Sequence, residues 1–145
     1  MKTLEKGTPI LIHLVTTREQ DGEVSEYEKK FSGQIFQIGN SLYLRYVETQ
    51  APEKVIVTFK IIDQNSIQLT RKRSDLKLRL FFEDNHRVAA AYQTSYGVIP
   101  IETVTPHLQI LLQQSPLAGA IKIDYLLYNG LELLGKYKIR LQFTT

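Results

Sequence analysis

Six side chains near the middle of this chain have the chemistry to hold a small molecule: Arg71, Arg73, Tyr92, Thr94, Tyr96 and Thr103. A guanidinium presents a rigid fork of donors that suits a carboxylate, phosphate or carbonyl. Phenols and hydroxyls add placed polar groups, and the aliphatic residues between them add apolar wall, which is the usual make-up of a ligand pocket. That chemistry is recognition rather than bond-making. His13, His86 and His107 are far apart and none stands in a His-x-x-x-His or His-x-Glu context, whereas a metal site needs three or four convergent ligands. The chain has no Cys, so thiolate nucleophiles and thiolate metal sites are absent together. No Gly-x-Ser-x-Gly elbow, Walker loop or dinucleotide fingerprint occurs. Asp63, Asp84, Asp124 and Glu102 fall in turns or on polar faces, where solvated carboxylates normally lie. The expectation is no enzyme, no metal and no cofactor.

Parity decides whether those six residues meet. Side chains alternate across a strand, so Tyr92, Thr94 and Tyr96 share one face of an extended segment, and Ile99, Ile101 and Thr103 resume the alternation beyond Gly97. A hairpin is predicted with Gly97 in the turn, where glycine takes positive φ at no steric cost. Tight turns joining 95/98 or 96/99 both put Tyr92 and Thr94 on the face of Ile101 and Thr103. A two-residue Ser74-Asp75 turn likewise pairs Arg73 with Leu76, which puts Arg71 and Arg73 on the inward face. Charges there need a partner or a wet opening; the alternative is that both arginines sit at a rim and snorkel outward.

The elements that position these residues read as strands throughout. Ile10, Ile12 and Leu14 alternate before a turn at Glu19 to Gly22, and Tyr27, Phe31 and Ile35 share a face of a long second strand that Gly33 should bend or bulge. Leu42, Leu44 and Tyr46 alternate up to a turn at Gln50 to Glu53; Val55, Val57, Phe59 and Ile61 follow, then Ile67 and Leu69, then Leu76, Leu78, Leu80 and Phe82. After Thr105-Pro106 the pattern loosens, and His107 to Gln113 fits either one or two helical turns or a ragged strand before a loop from Gln114 to Gly119. Ile121, Ile123, Tyr125 and Leu127 then face Leu133, Tyr137, Ile139, Leu141 and Phe143 across Asn129-Gly130. A plain two-residue Asn129-Gly130 turn would put Lys136 on the apolar face. Since register is fixed wherever one face is buried, a three-residue loop with a glycine-containing bulge is favoured, or a compensating bulge at Gly135.

The fold class is therefore all-β: one domain over residues 1–145, an antiparallel closed β-barrel of eight to ten strands, with at most one short helix within 107–118. Closure removes free edges, although a sandwich would show the same strand patterns. At 145 residues and 43% hydrophobic content such a domain buries roughly two thirds of its unfolded surface without disulfides. No apolar run approaches the ~20 residues of a membrane span, and the first residues carry no apolar signal core. The net charge of +3 is lower than dedicated nucleic-acid binders usually carry.

Phe82-Glu83-Asp84, Tyr92-Gln93-Thr94-Ser95-Tyr96-Gly97, Ile101-Glu102-Thr103, Ile121-Lys122-Ile123-Asp124-Tyr125 and Tyr137-Lys138-Ile139 together resemble the YwiB-like family. Its members are small bacterial proteins classed as calycin-like β-barrels of unknown function. Arg73-Ser74 also resembles the Arg-Ser turn of that family, with Asp75 in place of the expected Gly, while His107 to Leu117 shows no recognisable likeness. The resemblance implies a lipocalin-like barrel in a bacterial cytoplasm and carries over no catalytic residue.

Two functions follow as expectations. The first is non-catalytic binding of a small, partly apolar molecule inside the barrel, with Arg73 on an anionic or carbonyl head group and tyrosines flanking its body. The second is an interaction module whose outer surface, with Lys72, Lys77, Arg79 and Phe81, meets single-stranded nucleic acid or an acidic protein.

Overall fold

The computed structural model describes residues 7–49 and 53–145. The expected turn at Gln50 to Glu53 lies for the most part outside the described residues, as do the first six residues. Ten strands follow one another: β1 (Thr8–Gln20), β2 (Glu23–Ile38), β3 (Ser41–Thr49), β4 (Lys54–Asp63), β5 (Ser66–Arg73), β6 (Leu76–Glu83), β7 (Arg87–Thr94), β8 (Gly97–Gln114), β9 (Leu117–Asn129) and β10 (Glu132–Thr144). Each pairs antiparallel with its sequence neighbour, and β10 pairs with β1, so the sheet closes into an up-and-down barrel. None of the described residues is helical, so among them no helix is long and apolar enough to cross a membrane.

The segment after Thr105-Pro106 is thus strand, not helix. Its pattern loosens because the β8–β9 register shifts between Val104 and His107, around Pro106, which cannot donate to the ladder. Beyond the shift Leu108 and Ile110 return to the core. The loop expected from Gln114 to Gly119 shortens to Ser115-Pro116, joined by a cis peptide.

Alternation fixes the faces everywhere else. Ile12, Ile35, Leu44, Val57, Ile67, Phe82, Ile121, Ile123, Leu141 and Phe143 are each at most 2% exposed. The β9–β10 hairpin turns at Gly130-Leu131, and a bulge between Leu133 and Gly135 restores the register so that Tyr125 meets Tyr137 and Ile123 meets Ile139. The compensating bulge, rather than the longer loop, keeps Lys136 outside. Gly33 does not bulge. It lets β2 bend close to β3, since a Cβ there would stand 2.5 Å from the Arg45 carbonyl oxygen. From that point back toward Glu23 only β1 pairs with β2.

Because hairpin turns alternate between the two ends of a meander, the turns after β1, β5, β7 and β9 gather at one rim. That rim is where the polar inward residues collect. The ladder is thinnest beside it: β6 and β7 share only the pairs Lys77–Gln93, Leu78–Tyr92 and Arg79–Ala91. Past these, Thr103 of β8 donates its hydroxyl to the Phe81 carbonyl.

Candidate functional site

The polar rim encloses a cavity of about 730 Å³. Arg18 reaches it from β1 and Arg71 and Arg73 from β5, and Leu76, Leu78, Tyr92, Ile99, Ile101 and Leu127 complete the lining from β6 to β9. A second space of about 190 Å³ shares Arg18, Arg71 and Tyr137 with it and continues along Leu14, Tyr46, Phe59 and Leu69. Two further hollows, of about 380 and 340 Å³, lie against β1, β9 and β10 and against β1, β2 and β10. One is lined by charges of both signs, Glu19 and Asp124 with Lys136 and Lys138, and the other by His13 and Lys30.

Each arginine has a positional origin. Ile67, Leu69, Arg71 and Arg73 are successive inward residues of β5, so its apolar stripe simply runs out into charge at the rim. Ser74-Asp75 forms the two-residue turn, with Arg73 opposite Leu76 and Arg71 opposite Leu78. β3 does the same: after Leu44 and Tyr46 the next inward residue is Glu48, which is 4% exposed. Its Oε1 lies 2.6 Å from Arg71 Nη2. A carboxylate so buried needs such a partner, and the partner is thereby held in place. Arg73 is looser, with Nε 3.9 Å from a Glu53 oxygen. Arg18 pairs with no carboxylate among the described residues.

Aromatic rings separate this charged mouth from the dry interior. Tyr125 stacks on Tyr137 at 4.9 Å and tilts against Phe82 at 4.6 Å, while Tyr46 stacks on Phe31 at 4.3 Å. Burial pushes the Tyr46 phenol well above its ordinary range; the Glu48 carboxylate adds to the shift and Arg71 opposes it. The Tyr125 phenol is raised by burial first and by Tyr137 second. Tyr27, at the rim, is raised by the same desolvation and by Glu48. All three stay neutral hydrogen-bonding groups at ordinary pH.

The structure brings together three of the six residues singled out by sequence: Arg71, Arg73 and Tyr92 line the cavity. The other three stand off it. Tyr96 is fully exposed, because the hairpin turns at Ser95-Tyr96 with Thr94 opposite Gly97, so the ring sits at the tip instead of continuing the inward face. That register differs by an even number of residues from both expected turns, which is why the faces of Tyr92 and Ile101 are unchanged. Gly97 does take positive φ, +128°. Thr94 spends its hydroxyl in the same turn, donating to the Gly97 carbonyl and accepting from the Tyr96 amide. Thr103 is fully buried and tied to the Phe81 carbonyl.

Three contributors escaped the sequence reading. Arg18 was hidden because β1 runs on to Gln20, into the turn expected from Glu19. Continuing the Leu42, Leu44, Tyr46 alternation by one step would have found Glu48. Tyr137 appeared only as an apolar residue. Among the described residues no three His, Asp or Glu side chains converge as a metal site would require.

Fold and site together define a class: a ten-stranded up-and-down β-barrel, closed and dry at one end and open onto arginines at the other. A family model described as a domain of unknown function (DUF1934) matches residues 12–141, and the chain belongs to that family. The uncharacterized beta-barrel protein YwiB of Bacillus subtilis (strain 168) is 26% identical over 127 residues, which is 88% of this chain and 87% of that one. The crystal structure of ywiB protein from Bacillus subtilis aligns with a TM-score of 0.81 at 23% identity, covering 99% of this chain and 95% of the other. At that identity the structural likeness is one of fold.

Proposed function

We propose that this barrel is a non-catalytic binding protein for a small, partly apolar molecule whose anionic or carbonyl head meets the arginines of the mouth. The observation that carries the reading is the cavity of about 730 Å³ lined by Arg18, Arg71 and Arg73 together with aliphatic side chains and Tyr92. That volume lies within the roughly 300–1,000 Å³ of small-molecule sites. Apolar walls supply area for the body of a ligand, and Arg18 and Arg73 supply donors that the carboxylates among the described residues do not saturate. Arg71, already held by Glu48, supports the site by its fixed position. The absence of a nucleophile–base pair in this wall favours binding over catalysis. A calycin-like role of this kind in a bacterial cytoplasm agrees with the family resemblance.

The reading is tested with octanoate as the probe, by following backbone amide shifts of the isotopically labelled chain. The expected perturbations centre on residues 71–78, 92 and 99–101. No perturbation at millimolar octanoate, or perturbations confined to the outer wall, would remove the proposal.

A further inference from the structure

We propose that the outer face of β2–β6, on the opposite side of the same wall, is a docking surface for single-stranded nucleic acid. The register carries the argument. One outward row runs across five strands as Phe36, Tyr43, Lys60, Gln68 and Phe81. Beside it lies a row of Gln34, Arg45, Thr58, Thr70, Arg79 and Ala91. A third row is Val47, Ile56, Lys72, Lys77 and Gln93. Neighbouring rows are about 7 Å apart, since same-face residues are two positions apart along a strand.

These rows hold Arg45, Lys60, Lys72, Lys77 and Arg79 and not one Asp or Glu. None of the five cations pairs with a carboxylate among the described residues. Elsewhere on the barrel arginines are matched across the sheet, Arg140 by Asp124 at 2.8 Å and Arg87 by Glu102 at 3.0 Å. The modest net charge of the chain thus conceals an uncompensated patch on one side. A patch of this kind attracts polyanions.

The rings select among polyanions. Phe36 and Tyr43 lie parallel, 5.1 Å apart with 3° between their planes, on the outside of the sheet. Arg45 lies 5.0 Å from the Phe36 ring centre and Lys60 5.7 Å from that of Tyr43. Cations interleaved with partly exposed rings on one face of a sheet fit a strand of nucleotides: phosphates draw Arg45 and Lys60 off the rings they cover, and bases stack on the faces so released and on Phe81. An acidic protein would use the charges and leave the rings idle. A duplex would keep its bases stacked on one another. This inference is independent of the binding mode inside the barrel, because inward and outward residues alternate and share no side chain.

The test is fluorescence anisotropy of the full chain with labelled oligo(dT) and oligo(U) about twelve nucleotides long, within the ~4–16 covered by comparable barrels. Heparin and a DNA duplex serve as competitors, and salt is varied. Binding should weaken with salt at a log–log slope of about −0.7 for each phosphate neutralised. Arg79→Ala and Lys72→Ala should each flatten that slope by about one such step, while Lys122→Ala on β9 leaves it unchanged. Phe36→Leu, which keeps an apolar side chain on the strand, should weaken binding about tenfold at fixed salt through lost stacking. Circular dichroism confirms that each variant keeps the β fold. Equal binding of oligo(dT) and oligo(U) supports a surface that reads backbone and stacking, and a preference for one names the natural strand. No binding at low salt, unchanged slopes in the cation variants, or heparin and duplex competing as well as single strands with no effect of Phe36→Leu, would each overturn the assignment.

Discussion

Leu78 and Leu80 stand two positions apart on the same face of β6, yet they belong to different regions. Leu80 is 2% exposed among Phe82, Tyr125 and the dry core, whereas Leu78 is half-buried and lines the arginine cavity. The same split recurs around the barrel: β1 passes from Leu14 to Arg18, β3 from Tyr46 to Glu48, and β5 from Leu69 to Arg71 and Arg73. Close packing dominates one end and electrostatics the other. The difference teaches that alternation alone does not make an inward face a core, because the barrel is filled only where several strands present apolar residues at the same level.

The largest contrast should come from the two leucines. Leu80→Ala should cost about 2–5 kcal/mol, the transfer loss plus a cavity that closed neighbours cannot collapse. Leu78→Ala, beside a space already open, should cost no more than about 1 kcal/mol. Urea unfolding of both variants measures the gap, and equal losses would mean that the mouth is packed like the core.

Glu48→Gln comes next. It keeps the shape but removes the charge opposite Arg71, and should cost about 1.5–3 kcal/mol, the scale of a hydrogen bond to a charged group. Adding Arg71→Met should recover part of the loss, since the buried side then has no lone charge. A neutral Glu48→Gln would show that the pair does not order the mouth.

The tyrosine belt sharpens the comparison through pH. In the unfolded chain a phenol ionises near its ordinary value of 10.0, while folded Tyr46 and Tyr125 hold their protons to higher pH. Their contribution to stability is complete below pH 10 and is lost as pH rises above it, at about 1.4 kcal/mol per pH unit for each phenol. Thermal unfolding should be flat through neutral pH and fall in strongly alkaline buffer, with Tyr46→Phe reducing the slope.

The burial of Leu80, Tyr125, Ile139 and Leu141 was legible because a strand's period of two needs no knowledge of its neighbours; the same period predicts a buried Leu78, which is only half-buried because its level of the barrel opens onto the cavity. So was the pairing of Arg73 with Leu76, which a two-residue turn dictates. The convergence of Arg18, Glu48 and Arg71 was not, since it depends on strand lengths and on closure, neither of which leaves a local mark. Tyr96 was misplaced by a shift of the turn that left every neighbouring face intact. His107 to Gln113 was ambiguous because Pro106 and the bulge break the period at the point where it would have identified a strand.

Gly97 and Tyr92 give the smallest expected effects. Gly97→Ala should cost about 1 kcal/mol from backbone conformation alone, because nothing lies within 4 Å of the added Cβ. Tyr92→Phe should change stability by no more than a few tenths of a kcal/mol, as for a side chain outside any buried network. A loss of about 1–3 kcal/mol would instead reveal a buried hydroxyl bond and an architectural Tyr92.

The central claim is that the open end recognises a charged head and an apolar body together. Calorimetric titration of the full chain with octanoate and with octanol separates the two, because they share a hydrocarbon chain and differ in charge. Octanoate should bind about tenfold or more tightly than octanol, and Arg73→Ala should abolish that preference, since a charge-assisted hydrogen bond is worth about 1.5–3 kcal/mol. Octanol binding as tightly as octanoate, or a preference that survives both Arg73→Ala and Arg18→Ala, would contradict it.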